Sequence, residues 1–325
     1  KPQAISRLFP KHANAMTDTI KNFPNRLHRM TQVFYREVPS QVAARRFVDS
    51  LVNLLFPVRD RRGMSLKEMD LRWENLQQDF LHIITPLCSG MDCCCERLTA
   101  RFFAEIPLIY AGLMKDANLY KSCDPAAYCT EEVILCYPGF YAVMVYRLSH
   151  VMHRLDIPVL PRVVSEYAHS QTGIDIHPGA TIGPRFYIDH GTGIVIGETT
   201  EIGDDCLLYH GVTLGGTGKD HGKRHPTLGN NVMVSAGAKV LGPFKVGDNS
   251  RIAANAVVLS EIPPEATAVG VPARVVRIAG EKVDFAGQVD QIHVTDPVQK
   301  ELQALNSRLE WLEQLMDEQA RSKNL

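Results

Sequence analysis

The sequence has no long hydrophobic run and no excess of one charge. Its longest apolar stretches, such as residues 47–56, are interrupted by polar residues, and none approaches the ~18 residues of a transmembrane helix. The 35 Lys and Arg residues are balanced by 36 Asp and Glu residues, so the formal net charge is −1. This balance disfavours binding to nucleic acid or to an anionic membrane through charge, and we expect neither as a partner.

No secretory leader is visible in the sequence either, because no basic segment is followed by an apolar run and a small-residue cleavage site. The length of 325 residues and the hydrophobic content of 45% are those of an ordinary globular protein with about two domains. We therefore predict a cytoplasmic protein. An organellar location stays open, because the chain begins at Lys1 rather than at Met.

The cysteines lack the paired spacing of a structural zinc site. Three of the eight are consecutive, Cys93–Cys95, and Cys88 lies nearby without a CxxC pair. Three adjacent cysteines in a long chain do not resemble a small disulfide-bonded scaffold either. We interpret them as reduced thiols and predict no metal.

Residues 1–170 carry the apolar spacing of helices. The clearest stripe alternates spacings of three and four. Its members are Leu66, Met69, Trp73, Leu76, Phe80, Ile83 and Leu87. We predict an all-helical N-terminal domain over residues 1–170, with six to eight helices and with its leucines and aromatic residues in the core.

From Ile176 onward the period changes to six. Fourteen aliphatic residues fall on three six-residue frames: Ile176, Ile182, Ile188 and Ile194; Ile196, Ile202, Leu208 and Leu214; and Leu228, Val234, Val240, Val246, Ile252 and Val258. Neither a helix nor simple strand alternation has this period. Each step supplies one short strand and one corner, and three steps close a triangular coil. We predict a parallel β-helix domain over residues 171–276, and an α+β fold for the whole chain.

Two interruptions of the repeat collect polar residues. Between Ile188 and Ile196 the step is eight residues rather than six, and the excess lies in Asp189-His-Gly-Thr-Gly193. The step after Leu214 is fourteen residues, so a loop over 215–227 leaves the coil. Functional residues concentrate in loops on rigid scaffolds, and we expect the site at these two breaks.

The repeat resembles that of the hexapeptide-repeat acyltransferases, whose β-helix is left-handed. Several segments within it resemble the serine O-acetyltransferases: Asp175–Pro178, Asp189–Thr199, Val212–Lys219, Arg224–Pro226 and Gly270–Arg274. Asp124-Pro125, Gly139-Phe140 and Tyr146-Arg147 resemble the end of that family's helical domain. The resemblance covers about residues 120–276. It implies transfer of an acetyl group from acetyl-CoA to the hydroxyl of L-serine, giving O-acetyl-L-serine and CoA in cysteine biosynthesis.

The implied reaction needs a general base, because a serine hydroxyl is a poor nucleophile at neutral pH. Histidine suits this role, and we assign it to His190. Asp175 lies fifteen residues earlier, close to one coil's length, and we expect it to orient the imidazole. The substrate itself is the nucleophile, so the resemblance implies direct transfer without an acyl-enzyme.

The resemblance also implies substrate and co-substrate contacts. Arg224 and His225 would hold the serine carboxylate, and Asp124 and Asp189 its ammonium and hydroxyl side. Backbone N–H groups of residues 215–218 are candidates for the oxyanion. CoA would lie in a groove between coils of adjoining subunits. Its expected contacts are Gly216, Thr217, Ala236 and Ala254, with Lys219 or Lys239 at its phosphates.

The tail beyond residue 276 departs from the family. Asp296-Pro297 is a good helix start, and a heptad spacing follows through Leu302, Leu305, Leu309, Leu312 and Met316. We predict a helix at about 297–320 in a tail of residues 277–325. This helix would either associate in the homotrimer, or dimer of trimers, that the resemblance implies, or pack on its own subunit.

Serine acetyltransferases typically end in a flexible tail whose terminal isoleucine docks into the sulfhydrylase. This chain ends in Leu325 after the predicted helix, which argues against that complex. The resemblance further implies L-cysteine as a feedback inhibitor at the serine site.

Three other functions fit parts of the sequence. The same fold acetylates other hydroxyl acceptors such as sugars, but a neutral sugar offers no carboxylate to Arg224 and His225. A zinc carbonic anhydrase on this β-helix would use clustered histidines, and it would leave Asp175 unexplained. A non-enzymatic assembly protein would not need the base, the clamp and the loop.

Overall fold

The first half of the chain is helical, as the sequence predicts. The structure is a computed structural model that describes residues 16–34, 38–59, 63–88, 94–218, 221–282 and 308. The helices of these residues are α1 (Met16–Phe34), α2 (Gln41–Leu55), α3 (Leu66–Ile84), α4 (Cys95–Cys123), α5 (Thr130–Cys136), α6 (Pro138–Arg154) and α7 (Leu160–Thr172). Two 3-10 helices follow α2 and α3, at Pro57–Arg59 and Thr85–Cys88.

Helix α3 carries the predicted apolar stripe, and most of the stripe packs as expected. Leu76 and Phe80 are buried in the helical core. The first two members, Leu66 and Met69, are exposed, so the prediction that the whole stripe is core is wrong at this end. The reason is that, along this helix, the core cluster begins only at Trp73.

Short strands follow the helices and confirm the six-residue repeat. They are β1 (Asp175–Ile176), β2 (Thr181–Ile182), β3 (Tyr187–Asp189), β4 (Val195–Ile196), β5 (Glu201–Ile202), β6 (Leu207–Tyr209), β7 (Thr213–Gly215), β8 (Thr227–Leu228), β9 (Met233–Val234), β10 (Lys239–Leu241), β11 (Lys245–Val246), β12 (Arg251–Ile252), β13 (Val257–Val258), β14 (Ala266–Val269), β15 (Arg274–Ile278) and β16 (Glu281–Lys282).

The strands form three sheets, one for each face of a triangular coil. The first sheet contains β1, β4, β7, β10 and β13, and the second contains β2, β5, β8 and β11. The third contains β3, β6, β9, β12 and β14, and continues through β15, which is antiparallel to β14, to β16. The pairings among β1 to β14 are parallel, which confirms the predicted β-helix.

The aliphatic residues of the repeat stack directly on one another. In the first sheet Ile176 pairs with Ile196, Ile196 with Leu214, Leu214 with Val240, and Val240 with Val258. A regular coil advances 18 residues, as from Ile196 to Leu214. The advance is 20 residues from Ile176 and 26 residues from Leu214, so the predicted excess of two and eight residues lies in these two coils.

Polar contacts fasten the helices to the coil. The Tyr146 hydroxyl donates to the Ala180 carbonyl at 2.5 Å. Arg147 donates to the buried Asp116 carboxylate at 2.9 Å and to the Gly183 carbonyl at 3.2 Å. Removing one partner of such a buried pair would leave an uncompensated charge, so Asp116 and Arg147 depend on each other.

Gly139 lets α6 approach the coil closely. A Cβ atom there would overlap the Ile188 carbonyl and would lie 2.9 Å from the Tyr120 hydroxyl. That hydroxyl in turn accepts the Ile188 N–H at 3.0 Å. Helices α4 and α6 therefore both touch β3, the strand that leads into Asp189.

The predicted domain boundaries fall inside secondary structure elements. The boundary after residue 170 lies within α7, and the one after residue 276 lies within β15. By compactness, Lys1–Glu281 form one unit and Lys282–Leu325 a second. Of the predicted C-terminal helix only Arg308 belongs to the described residues, and it is helical.

Two general features concern the described part of the chain. None of its helices combines the length and the apolar character needed to cross a bilayer. No disulfide bond joins its cysteines.

Candidate active site

Two corners of the coil carry the predicted site residues. The base corner, formed by residues 189–194, 209–212, 235–238 and 253–256, joins the third sheet to the first and holds His190. The clamp corner, formed by residues 177–180, 197–200, 215–218 and 221–226, joins the first sheet to the second and holds Arg224. In each coil a strand of the first sheet separates the two corners.

His190 lies in the two-residue excess of the base corner. In later coils this corner turns at Gly211 (φ 68°) and Gly237 (φ 72°), each of which donates its N–H to the coil before it. Gly193 (φ 78°) takes that place in the first coil, and His190 precedes it with φ 58°. A left-handed conformation is uncommon outside glycine, and such conformations cluster at functional sites.

The His190 imidazole is open to solvent and lies beside an acid. Its side chain is 73% exposed, and its Nε2 lies 3.7 Å from Asp189 Oδ1. The ring of His210, one coil further on, has its centroid 5.8 Å away. A substrate hydroxyl from solvent can therefore reach this imidazole.

Asp124 belongs to the same neighbourhood although it comes from the helical part. It follows the last residue of α4 and caps that helix, with its N–H donating to the Tyr120 carbonyl at 3.0 Å. Hydrogen bonds from the Tyr137 hydroxyl (2.6 Å) and the Ala126 N–H (2.8 Å), and then the positive charge of His190, lower the pKa of Asp124. The carboxylate is therefore kept ionised.

Tyr187 is a buried neighbour of the site residues. It lies two residues before Asp189 in β3, and its ring packs edge-to-face on Tyr120, whose carbonyl accepts the Asp124 N–H. Burial, followed by the charges of Asp189 and Asp124, raises the pKa of Tyr187. Two carboxylates beside one imidazole suit a substrate that carries an ammonium and a hydroxyl group.

Asp175 borders the base corner from the coil's first turn. It lies in β1, two residues after Gly173, whose carbonyl accepts the Gly193 N–H at 2.8 Å. Its carboxylate groups with Glu166 and His169, with one ligand atom of each within 4.8 Å of the others. Among the described residues the ion pair of His190 is with Asp189, so the pairing of Asp175 with His190 stays a prediction.

At the clamp corner, Thr199 fixes Arg224 and His225. Its Oγ1 accepts the N–H of Arg224 at 3.0 Å and of His225 at 3.1 Å. The Thr199 N–H donates to His225 Nδ1 at 3.1 Å, so the neutral ring carries its proton on Nε2. Burial, and then the charge of Arg224, lower the pKa of His225 and favour this neutral form.

The Arg224 guanidinium is held by a carboxylate across the clamp corner. It forms an ion pair with Glu198, and this pair lowers the pKa of Glu198. The Arg224 side chain is 29% exposed, so part of its planar donor group faces solvent. Arg224 and the His225 Nε2–H together suit a carboxylate ligand.

The predicted CoA contacts are divided between the corners. Ala236 and Ala254 lie on the base corner, in the third and fourth coils, with Ala254 exposed. Lys239 lies in β10, and its Nζ donates to the Gly211 carbonyl of the same corner. These two alanines therefore lie on the same corner of the β-helix as His190, with Lys239 beside it.

The remaining predicted CoA contacts are on the clamp-corner loop. Gly216 and Thr217 follow β7 and are exposed. Lys219 lies outside the described residues.

Sequence reasoning did not single out Tyr137, Tyr187, Glu198 and Thr199. The last two lie inside the segment Asp189–Thr199, so the motif contained a signal for them. Tyr137 had none, because it meets Asp124 only after the chain has folded through α5.

Comparison with known proteins extends these observations. The sequence profile of the bacterial transferase hexapeptide family (six repeats) matches residues 225–260. A serine acetyltransferase from Synechococcus elongatus is 46% identical over 209 residues, which are 64% of this chain and 84% of the relative. A serine acetyltransferase from Mycobacterium tuberculosis is 49% identical over 200 residues, which are 62% of this chain and 86% of the relative.

Solved structures of similar fold carry the same name. Serine acetyltransferase 1 of Entamoeba histolytica, in complex with L-cysteine, has a TM-score of 0.63 and 34% identity and covers 68% of this chain and 84% of its own. The serine acetyltransferase of Neisseria gonorrhoeae, in complex with serine, has a TM-score of 0.55 and 30% identity. The match covers 70% of this chain and 83% of that enzyme. The serine acetyltransferase of Brucella abortus, in complex with coenzyme A, has a TM-score of 0.53 and 34% identity. The match covers 62% of this chain and 82% of that enzyme. With its helices, its β-helix and these relatives, the chain belongs to the serine acetyltransferase family.

Proposed function

We propose that this chain transfers the acetyl group of acetyl-CoA to the hydroxyl of L-serine, giving O-acetyl-L-serine and CoA. The observation that carries the proposal is the division of charge between the corners. The base corner offers an imidazole beside two carboxylates, and the clamp corner offers a guanidinium beside a neutral imidazole donor. Family membership supports it, since relatives have structures with serine and with coenzyme A.

The charges of serine match these groups one by one. Its ammonium binds between the carboxylates of Asp124 and Asp189, and its carboxylate binds Arg224 and His225. Arginine favours carboxylates through two parallel N–H bonds. Asp124 stays ionised because its pKa is lowered, chiefly by the hydrogen bond from Tyr137, so it can keep the ammonium bound.

His190 is the general base. As the serine oxygen attacks the thioester carbonyl, the imidazole takes the hydroxyl proton, and the new C–O bond forms. The resulting oxyanion is stabilised by backbone N–H groups of residues 215–218. When the C–S bond breaks, the imidazolium returns its proton to the leaving sulfur of CoA. Asp175 orients the ring during this exchange.

Base and clamp act on one serine only when they come from two subunits. In one chain the centres of the two corners are one six-residue step apart, which is up to ~20 Å of extended backbone at about 3.3 Å per residue. A serine molecule is far shorter than this distance. We therefore propose a homotrimer in which the base corner of one subunit faces the clamp corner of the next.

CoA then lies in the groove between the same two subunits. The small side chains of Ala236 and Ala254 leave room for its pantetheine arm, and Lys239 lies beside it with the positive charge that its phosphates require. Gly216 and Thr217 come from the clamp-corner loop. L-cysteine carries the same ammonium and carboxylate as serine, so it competes for the serine site, and a relative has been solved with it.

The test is a panel of acceptors assayed by release of the CoA thiol. L-serine is compared with 3-hydroxypropionate, which lacks the ammonium, with ethanolamine, which lacks the carboxylate, and with glycerol as a sugar-like alcohol. A site with paired charges should lose at least ~10²-fold in kcat/KM when either charge is missing. A higher kcat/KM for glycerol or a sugar than for L-serine would overturn the serine assignment in favour of the other hydroxyl acceptors.

A further inference from the structure

Tyr137 is held rigidly at the junction of two helices. It follows the last residue of α5 and precedes the first of α6. Its N–H donates to the Val133 carbonyl at 3.1 Å, and its carbonyl accepts the Tyr141 N–H at 3.2 Å. Its ring packs edge-to-face on the buried Tyr120, with centroids 6.1 Å apart. Backbone and ring together leave the hydroxyl little freedom.

The Tyr137 hydroxyl points at one carboxylate oxygen of Asp124. It donates to Oδ2 at 2.6 Å, while the Ala126 N–H donates to Oδ1 at 2.8 Å. Both oxygens therefore have one fixed donor, and the carboxylate plane is set.

The hydrogen bond between Tyr137 and Asp124 also fixes the charge of the carboxylate. This bond is the largest cause that raises the pKa of Tyr137, and the charge of Asp189 adds a smaller effect. Like charges at short range drive carboxylates apart or favour protonation of one of them. A short O–H···O⁻ bond opposes both effects, because it stabilises the ionised form in one orientation.

We propose that Tyr137 is a positioning residue for substrate binding, which holds the Asp124 carboxylate ionised and aimed at the ammonium of the acceptor amino acid. This inference rests on the proposed function, in which Asp124 binds that ammonium. Tyr137 does not touch the reacting atoms. Its removal should weaken binding of the amino acid and leave both the chemical step and acetyl-CoA binding in place.

The test is steady-state kinetics of Tyr137→Phe with L-serine and acetyl-CoA. Phenylalanine keeps the ring on Tyr120 and removes only the hydroxyl. We expect KM for serine to rise about 10-fold, the effect of one charge-assisted hydrogen bond, with kcat changed less than about threefold. KM for acetyl-CoA should not change. Tyr128→Phe is the matched control, because Tyr128 lies just before α5 and is 88% exposed.

A double-mutant cycle separates positioning from a general structural effect. In the Asp124→Asn background, Tyr137→Phe should raise KM for serine no further, because the carboxylate it supports is gone. An equal rise in both backgrounds would overturn the inference, and so would a wild-type KM in Tyr137→Phe. If Asp124→Asn itself leaves KM for serine unchanged, the proposed role of Asp124 fails instead.

Discussion

At the scale of single residues, the site depends on groups that position its reacting side chains. Thr199 fixes both residues of the clamp, and Tyr137 fixes Asp124. None of these contacts recurs at a fixed interval along the sequence, so the six-residue repeat that predicts the coil does not predict them. His190 was identified because the break in the repeat marked it, and its left-handed backbone is the structural counterpart of that break.

Gly197 gives a residue-scale prediction, because it makes room for the clamp. A Cβ atom at this position would overlap the His225 ring, with Cε1 only 2.8 Å away. Gly197→Ala should therefore displace the imidazole and raise KM for serine about 10-fold or more, as for a lost hydrogen bond to a charged group. Steady-state kinetics measures this change.

The control for that variant is Gly63→Ala, since a Cβ at Gly63 meets nothing within 4 Å. Gly63→Ala should keep the wild-type KM. A wild-type KM in Gly197→Ala would mean that His225 does not bind the substrate.

At the scale of elements, features that are local and repetitive can be predicted from the sequence, and contacts between distant segments cannot. The six-residue repeat gave the strand register, because each aliphatic residue stacks on its counterpart one coil away. The helices were predicted from their 3.6-residue period, but their packing partners were not. Leu66 and Met69 are exposed for this reason, since an apolar stripe indicates one face of a helix without indicating which element covers it.

The contact between α6 and β3 gives an element-scale prediction. Gly139 allows it, because a side chain there would overlap the Ile188 carbonyl. Gly139→Ala should force the helix away from the strand and cost about 1–3 kcal/mol in the free energy of unfolding. The urea midpoint measures this loss, provided that the slope of the transition does not change.

Gly112→Ala in α4 is the control for that variant, since a Cβ at Gly112 meets nothing within 4 Å. Alanine is favoured over glycine in a helix, so Gly112→Ala should keep or raise the midpoint. A Gly139→Ala midpoint equal to that of the wild type would show that the close approach does not hold the two elements together.

At the scale of the whole molecule, the sequence indicated which residues make the site but not how they meet. The resemblance joined His190, Asp124, Arg224 and His225 into one site. The structure places His190 on the base corner with Asp124 nearby, and Arg224 and His225 on the clamp corner. We propose that the two corners meet between subunits, and no spacing within one chain encodes a contact between chains. The C-terminal helix and its suggested role in assembly remain predictions.

The most direct test is the activity of mixed oligomers of His190→Ala and Arg224→Ala subunits, coexpressed with different tags and purified through both. Each variant alone should be nearly inactive, with His190→Ala losing ~10²–10⁴-fold in kcat. In a symmetric trimer with sites between subunits, every mixed trimer that carries both tags has one of its three sites with an intact base and an intact clamp. We therefore predict that serine-dependent CoA release returns to about a third of the wild-type rate. A mixture as inactive as its components would contradict a site shared between subunits, and a His190→Ala protein with the wild-type rate would contradict His190 as the base.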